Sequence, residues 1–229
     1  MTTLAMHASD GVLNAPASLL FGAVAAVGLT FAAIRARKEL DERTVPLAGL
    51  VAAFVFAVQM INFPVLPGVS GHLLGGALAA ILVGPATGAL CVSIVLVVQA
   101  LLFADGGLTA LGVNITNMAL IGTAAGYVVA VALRGLALRS RGGLAAVSFV
   151  AALVNTVFAA AGFVVEYAIG GQGAVSLGGF AAALLGVHVL IGIGEGLITA
   201  VTVGAVASVR PDLVYVLRAR REQREGVIP

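Results

Sequence analysis

Long apolar runs alternating with short basic clusters constrain this chain more than any other feature of its sequence. The runs lie near residues 15–35, 45–63, 71–83, 86–103, 112–134, 144–169 and 179–208. A helix that crosses the hydrocarbon core of a bilayer needs about 20 mainly apolar residues. The third run is short, and Gly84-Pro85 separates it from the fourth. Proline sets a break there because it lacks an N–H and clashes with the preceding turn. Only 10% of the residues are charged and 61% are hydrophobic, whereas a soluble domain carries about one quarter charged residues. The 30 glycines and many alanines suit helices that approach closely in lipid. The chain therefore reads as an all-α integral membrane protein of about seven transmembrane helices.

The basic clusters give the sidedness. Arg35, Arg37, Lys38 and Arg43 follow the first run, Arg134, Arg139 and Arg141 the fifth, and Arg210, Arg218, Arg220, Arg221 and Arg224 the seventh. With seven spans all 12 basic residues fall on one side, and the positive-inside rule makes that side the cytoplasm. The amino terminus is then outside and the carboxy terminus cytoplasmic. Residues 1–229 read as a single transmembrane domain, with 1–5 as an extra amino-terminal extension and 209–229 as a cytoplasmic basic tail. The run Arg218–Arg224 reads as a topology signal that also contacts anionic lipid. The first residues lack a basic n-region and a cleavage site, so the first span is expected to act as its own anchor. Pro64–Gly71 is loop-like but too apolar for an ordinary solvated loop.

Several functions are disfavoured by what the sequence lacks. The net charge of +2 offers no basic face for nucleic acid. Cys91, the lone cysteine, excludes an intrachain disulfide and reads as a small buried hydrophobe. There is no G-x-x-x-x-G-K-[ST] phosphate loop, H-E-x-x-H motif or G-x-S-x-G elbow.

Two of the three histidines fall on the expected outer side: His7, ahead of the first span, and His72, at the start of the third. If the mature chain began at Met6, its terminal amine, the His7 amide nitrogen and the His7 Nδ1 would form fused chelate rings. An imidazole from His72 would complete a four-nitrogen square. Square-planar nitrogen coordination favours Ni(II) or Cu(II), and imidazole also suits cobalt and zinc. The metal would displace the amine proton near neutral pH.

These residues carry a resemblance. Met6-His7 with Asp10-Gly11, Ser70–Gly76, Gln99–Thr109, Gly112–Met118 and Gly194–Thr199 resemble the cobalt/nickel substrate-binding membrane subunits (CbiM/NikM type) of energy-coupling factor transporters, over about residues 6–208. The resemblance implies a seven-helix fold and metal ligation by Met6, His7 and His72. It also implies a role as the substrate-specificity component of an ATP-driven importer, with Co(II) or Ni(II) as bound substrate and no prosthetic group. The implied partners are a transmembrane coupling (T) subunit, ATPase (A) subunits and a small accessory membrane subunit. In the family the chain starts at its Met-His, whereas Met1–Ala5 precede it here. Either translation starts at Met6 or the extension is removed.

Other residues are read more openly. Asp105, Asn114 and Asn117 either hold the amino-terminal loop, orient the histidines or cap helices. His188 and Glu195 lie about 10 Å apart on one face of the last span. They suggest a buried hydrogen bond between helices or, as a rival function, an intramembrane enzyme; a passive metal channel is a third reading. Glu166 is expected at the interface. Gly28, Ala32 and Ala36 form a small-residue ridge for packing within the bundle or against a partner chain, and Gly122 and Gly126 one for internal packing.

Overall fold

The computed structural model describes residues 7–42, 44–61, 63–66, 69–173 and 175–218. In chain order the helices are α1 (Ala15–Ala36), α2 (Thr44–Gln59), α3 (Gly76–Val83), α4 (Pro85–Leu102), α5 (Leu111–Asn114), α6 (Thr123–Ala132), α7 (Arg134–Ala137), α8 (Arg141–Gly170) and α9 (Leu177–Val209). A π-helical segment, Ile115–Gly122, joins α5 to α6, so that Leu111–Ala132 runs as one 22-residue span. Among the described residues five helices are long and apolar enough to cross a membrane, and α2 is a shorter apolar helix.

The expected third span is the main departure. Helix begins only at Gly76, and residues 72–75 are non-helical. Gly75 has φ +79°, and a Cβ there would stand 2.9 Å from both Val55 methyls. The backbone thus needs a glycine to turn into α3 while α2 presses against it. All eight residues of α3 are buried. Lying inside the bundle, α3 needs no length to meet lipid. Within the apolar Pro64–Gly71 stretch the described residues pair as two short antiparallel strands, β1 (Phe63–Leu66) with β2 (Val69–Gly71), in register Phe63↔Gly71 and Leu66↔Val69.

The passes run alternately between two ends. At one end Asn14 N donates to Gly170 O (2.7 Å) and Gln172 N to Val12 O (3.0 Å), joining the entry of α1 to the α8–α9 turn. At the other end the Glu39 carboxylate accepts from Ala86 N (3.2 Å) and Thr87 N (2.7 Å), capping α4 from the α1–α2 loop. There too Arg134 Nε donates to Val216 O (2.9 Å). Described basic residues from the α1–α2, α6–α8 and post-α9 connections gather at this second end, as the charge count anticipates; Arg43, Arg220, Arg221 and Arg224 lie outside the described residues. Arg218 folds back on the Asp212 and Leu213 carbonyls.

The core is built on α3 and α4, with Val92, Val95 and Leu96 packed among Ala77, Leu78 and Ile81. Outward faces are apolar, among them Leu19, Val27 and Phe31 on α1 and Leu197 and Val201 on α9, as a lipid-facing surface requires. The α1 ridge is used internally. Ala32 and Ala36 are buried with Ala86 and Ala89 of α4, and Gly28 meets Leu120. Gly126 likewise packs on Ala77, as expected.

Candidate metal site

The site begins with a loop that folds over the bundle. Asn114, in the first turn of the fifth pass, turns one donor and one acceptor of its amide toward the main chain of Ala8, as a paired peptide unit would. Its Oδ1 accepts from Ala8 N (3.0 Å) and its Nδ2 donates to Ala8 O (3.2 Å). Gly107 N adds a second donor to Ala8 O (3.0 Å). Gly106, at φ +88°, lies so close that a Cβ would stand 2.9 Å from the His7 Cβ. Asp10 accepts from Thr109 N (2.8 Å) and from the Thr109 hydroxyl. Asn14 then N-caps α1 through Ala17 N (2.9 Å).

The Thr109 bonds hold the Asp10 carboxyl below the ordinary carboxylate range. A depressed folded value means that this contribution is full at neutral pH. It weakens as the pH falls toward about 3.9 and is lost below the folded value. The Thr109 amide should therefore lose hydrogen-exchange protection in Asp10→Ala at pH 7. The variant and the wild type should converge only once the pH has fallen below that folded value.

His7 and His72 are both buried, each 7% exposed, with ring centroids 4.6 Å apart at 54°. His7 Nδ1 stands 3.3 Å from Asp105 Oδ1. Beyond that ion-pair contact, neither His7 ring nitrogen has a hydrogen bond among the described residues. Buried polar atoms normally find partners, so the ring has capacity for another ligand. The His72 Nδ1 lies 2.9 Å from Leu73 O. A carbonyl only accepts, so this nitrogen carries the proton and Nε2 keeps the lone pair. Met6 lies outside the described residues. Among the described residues no three His, Cys, Asp or Glu side chains converge as one metal cluster, so a full donor set needs main-chain nitrogen as well.

The segment that carries His72 is held from below by Glu195 of α9. Its carboxylate accepts from Leu74 N (2.8 Å), Gly75 N (3.0 Å), Asn155 Nδ2 (3.0 Å) and Thr156 Oγ1 (3.0 Å). It is 1% exposed. Gln59 of α2 donates to Leu74 O (2.7 Å). Sequence reasoning paired Glu195 with His188 and missed this anchoring of His72. The Gly75-Gly76 pair ahead of a short buried helix was the available signal, since amides freed by such a turn need an acceptor. His188 does not join Glu195. Its Nδ1 pairs with Leu184 O (2.8 Å), and the residue lines a cavity of about 260 Å³ together with His7 and His72. Asp105 and Asn114 hold the loop and its histidine. Asn117 instead donates to Glu166, which is 1% exposed in the interior and not at an interface. Burial of a carboxyl among helices is affordable only with such a donor.

Comparison with known proteins gives the family of the chain. The family model CbiM, described as the cobalt uptake substrate-specific transmembrane region, matches residues 7–213. The chain belongs to the CbiM family. It is 38% identical over 209 residues to a protein of Archaeoglobus fulgidus provisionally named fused nickel transport protein NikMN, covering 91% of this chain and 68% of the relative. Its likeness to the cobalt transport protein CbiM of Geobacter sulfurreducens is 39% identity over 136 residues, 58% of this chain and 39% of the relative. A crystal structure described as a transition metal transporter superposes with TM-score 0.77 at 29% identity, covering 89% of this chain and 93% of that one. As a CbiM-family chain with several apolar spans, it is a multi-pass protein of the cell membrane and a transport component.

Proposed function

We propose that this CbiM-family chain is the substrate-specificity component of an ATP-driven energy-coupling factor importer for cobalt or nickel. The observation that carries this reading is the His7–His72 contact, buried at the end of the bundle opposite the basic clusters. By the positive-inside rule that end faces outward. The ion is captured there by the Met6 amine, the His7 amide and imidazole, and the His72 Nε2. The Asp105 contact yields when His7 Nδ1 turns to the metal. Amide deprotonation selects nickel, copper or cobalt over magnesium and calcium, which take oxygen ligands. ATP hydrolysis belongs to partner A subunits, coupled through a T subunit and an accessory membrane subunit. The T subunit docks on a surface other than the Ala32/Ala36 ridge, which α4 already covers. The four donors that occupy Glu195 argue against the rival enzymatic use of His188 and Glu195.

The amine is the part of the donor set that can be tested most directly. A chain beginning at Met6 should bind Ni(II) about a hundredfold more tightly than one beginning at Met1, or about 2.8 kcal/mol. Calorimetry on both chains, each checked by mass spectrometry of its amino terminus, measures the difference. Equal affinities would remove the amine from the site.

A further inference from the structure

All three histidines of the chain line one cavity. His7 hangs from the amino-terminal loop, His72 sits on the segment ahead of α3, and His188 projects from α9. His188 is 11 residues into that helix, roughly 16 Å along its axis from Leu177. The first two are accounted for by the proposed entry chelate, and the third has no role in it.

We propose that His188 is a second, inner ligand for the transported ion, which takes the metal with His72 once the amino-terminal chelate lets go. This inference rests on the metal-binding reading of His7 and His72. Three observations carry it. First, His72 and His188 share a tautomer. Each has Nδ1 against a main-chain carbonyl, at 2.9 Å from Leu73 O and 2.8 Å from Leu184 O, which leaves Nε2 as the lone-pair nitrogen in both rings. A neutral imidazole with a fixed tautomer is a ready ligand for cobalt or nickel. Second, an ionisable side chain within a membrane span is costly unless it serves a pathway or a buried partner. The Leu184 bond satisfies one ring nitrogen of His188 and leaves the other for the cavity. Third, the described His, Cys, Asp and Glu side chains form no three-ligand cluster. Under this proposal the histidines act in sequence, His7 with His72 first and His72 with His188 next, within the one cavity that all three line. Asn117 lines the same cavity and has an amide oxygen without a hydrogen-bond partner among the described residues, a further donor beside the inner pair.

An ion leaving the entry site in one step would have to lose the amine, the amide and the His7 imidazole together. Exchange through His72, common to both pairs, keeps at least one nitrogen bonded throughout. No bond to carbon changes and no electron moves; the step is ligand substitution in which the His7 amide nitrogen takes back a proton from water as it leaves the metal.

Ni(II) binding to the purified full chain in detergent tests this. His188→Gln alone should leave the entry-site Kd within about twofold, and His7→Ala should expose a weaker residual site. Adding His188→Gln to His7→Ala should weaken that residual site by about tenfold or more, comparable to the loss of an outer partner of a metal ligand. Thermal midpoints of the metal-free variants, equal within error, exclude a folding defect; should Gln unfold the chain, His188→Asn takes its place. The inference is overturned if His7→Ala and the double variant bind equally. It is also overturned if His7→Ala retains no site, or if His188→Gln alone abolishes entry-site binding. Full binding by His72→Ala would instead defeat the underlying metal-site reading, which the His188 variants alone do not touch.

Discussion

His72→Ala should abolish tight metal binding, lowering affinity for Ni(II) or Co(II) about a hundredfold or more, or about 2.8 kcal/mol. His72 is the histidine that the entry and inner pairs share, and its Nε2 is left as a lone-pair donor by the Leu73 carbonyl. No described Cys, Asp or Glu cluster stands by to replace it. Thermal unfolding gives an independent reading. At a hundredfold excess of metal over Kd, a ligand that binds only the folded state stabilises it by about 2.7 kcal/mol. The wild type should therefore unfold at a higher temperature with nickel present, and His72→Ala should show no shift. A metal-dependent shift of wild-type size in the variant would refute the site.

Glu195→Ala should be the most damaging single change to the fold near the site. It removes the common acceptor of two main-chain amides, the Asn155 amide and the Thr156 hydroxyl, all buried. Thr156 has a second acceptor in Ala152 O at 2.9 Å, but the Leu74 and Gly75 amides would lose the carboxylate that accepts from both. Hydrogen bonds to a charged group are worth about 1.5–3 kcal/mol each, and stripping one partner from a buried charged cluster costs about 3–5 kcal/mol. Chemical or thermal unfolding should register a loss on that scale. Glu195→Gln should fall in between, since one oxygen still accepts while the new NH₂ meets donors. Metal affinity should fall in both variants, because residues 72–75 lose their anchor. Wild-type stability and affinity in Glu195→Ala would show that the clamp is dispensable.

The sequence made the long passes legible because a bilayer demands a minimum apolar length; α1, α8 and α9 each exceed it and the 18-residue α4 comes close. The basic clusters gave the parity of the passes for the same kind of reason, a constraint imposed by the solvent and not by packing. His7 and His72 could be paired because both constraints put them at one end. What stayed hidden was set by packing. Helix α3 is buried on every side, so it carries neither an amphipathic stripe nor a full span length by which its start could be recognised. Its first residues were read as helix although Gly75 turns them out of it. Glu166 was read as interfacial from its place near the end of a span. Its actual environment depends on Asn117, 49 residues earlier in the chain. Glu195 was marked as unusual for its charge, but nothing local names the amides of Leu74 and Gly75 as its partners.

The π-helical stretch Ile115–Gly122 acts as an angular adapter in the wall of the cavity. An α-helix advances about 100° per residue, so a pass of fixed length has no freedom to aim both of its ends. Above the stretch, Asn114 must face Ala8 to hold the loop; below it, Gly126 must face Ala77 to admit α3. Widened turns take up residues that a regular helix could not place, and both demands are met in one span. Wound as regular helix, the same residues would swing either the loop-holding asparagine or the close-packing glycine about 100° out of place for each surplus residue. The length of this segment, more than the identity of most of its side chains, sets how the amino-terminal loop meets the inner helices.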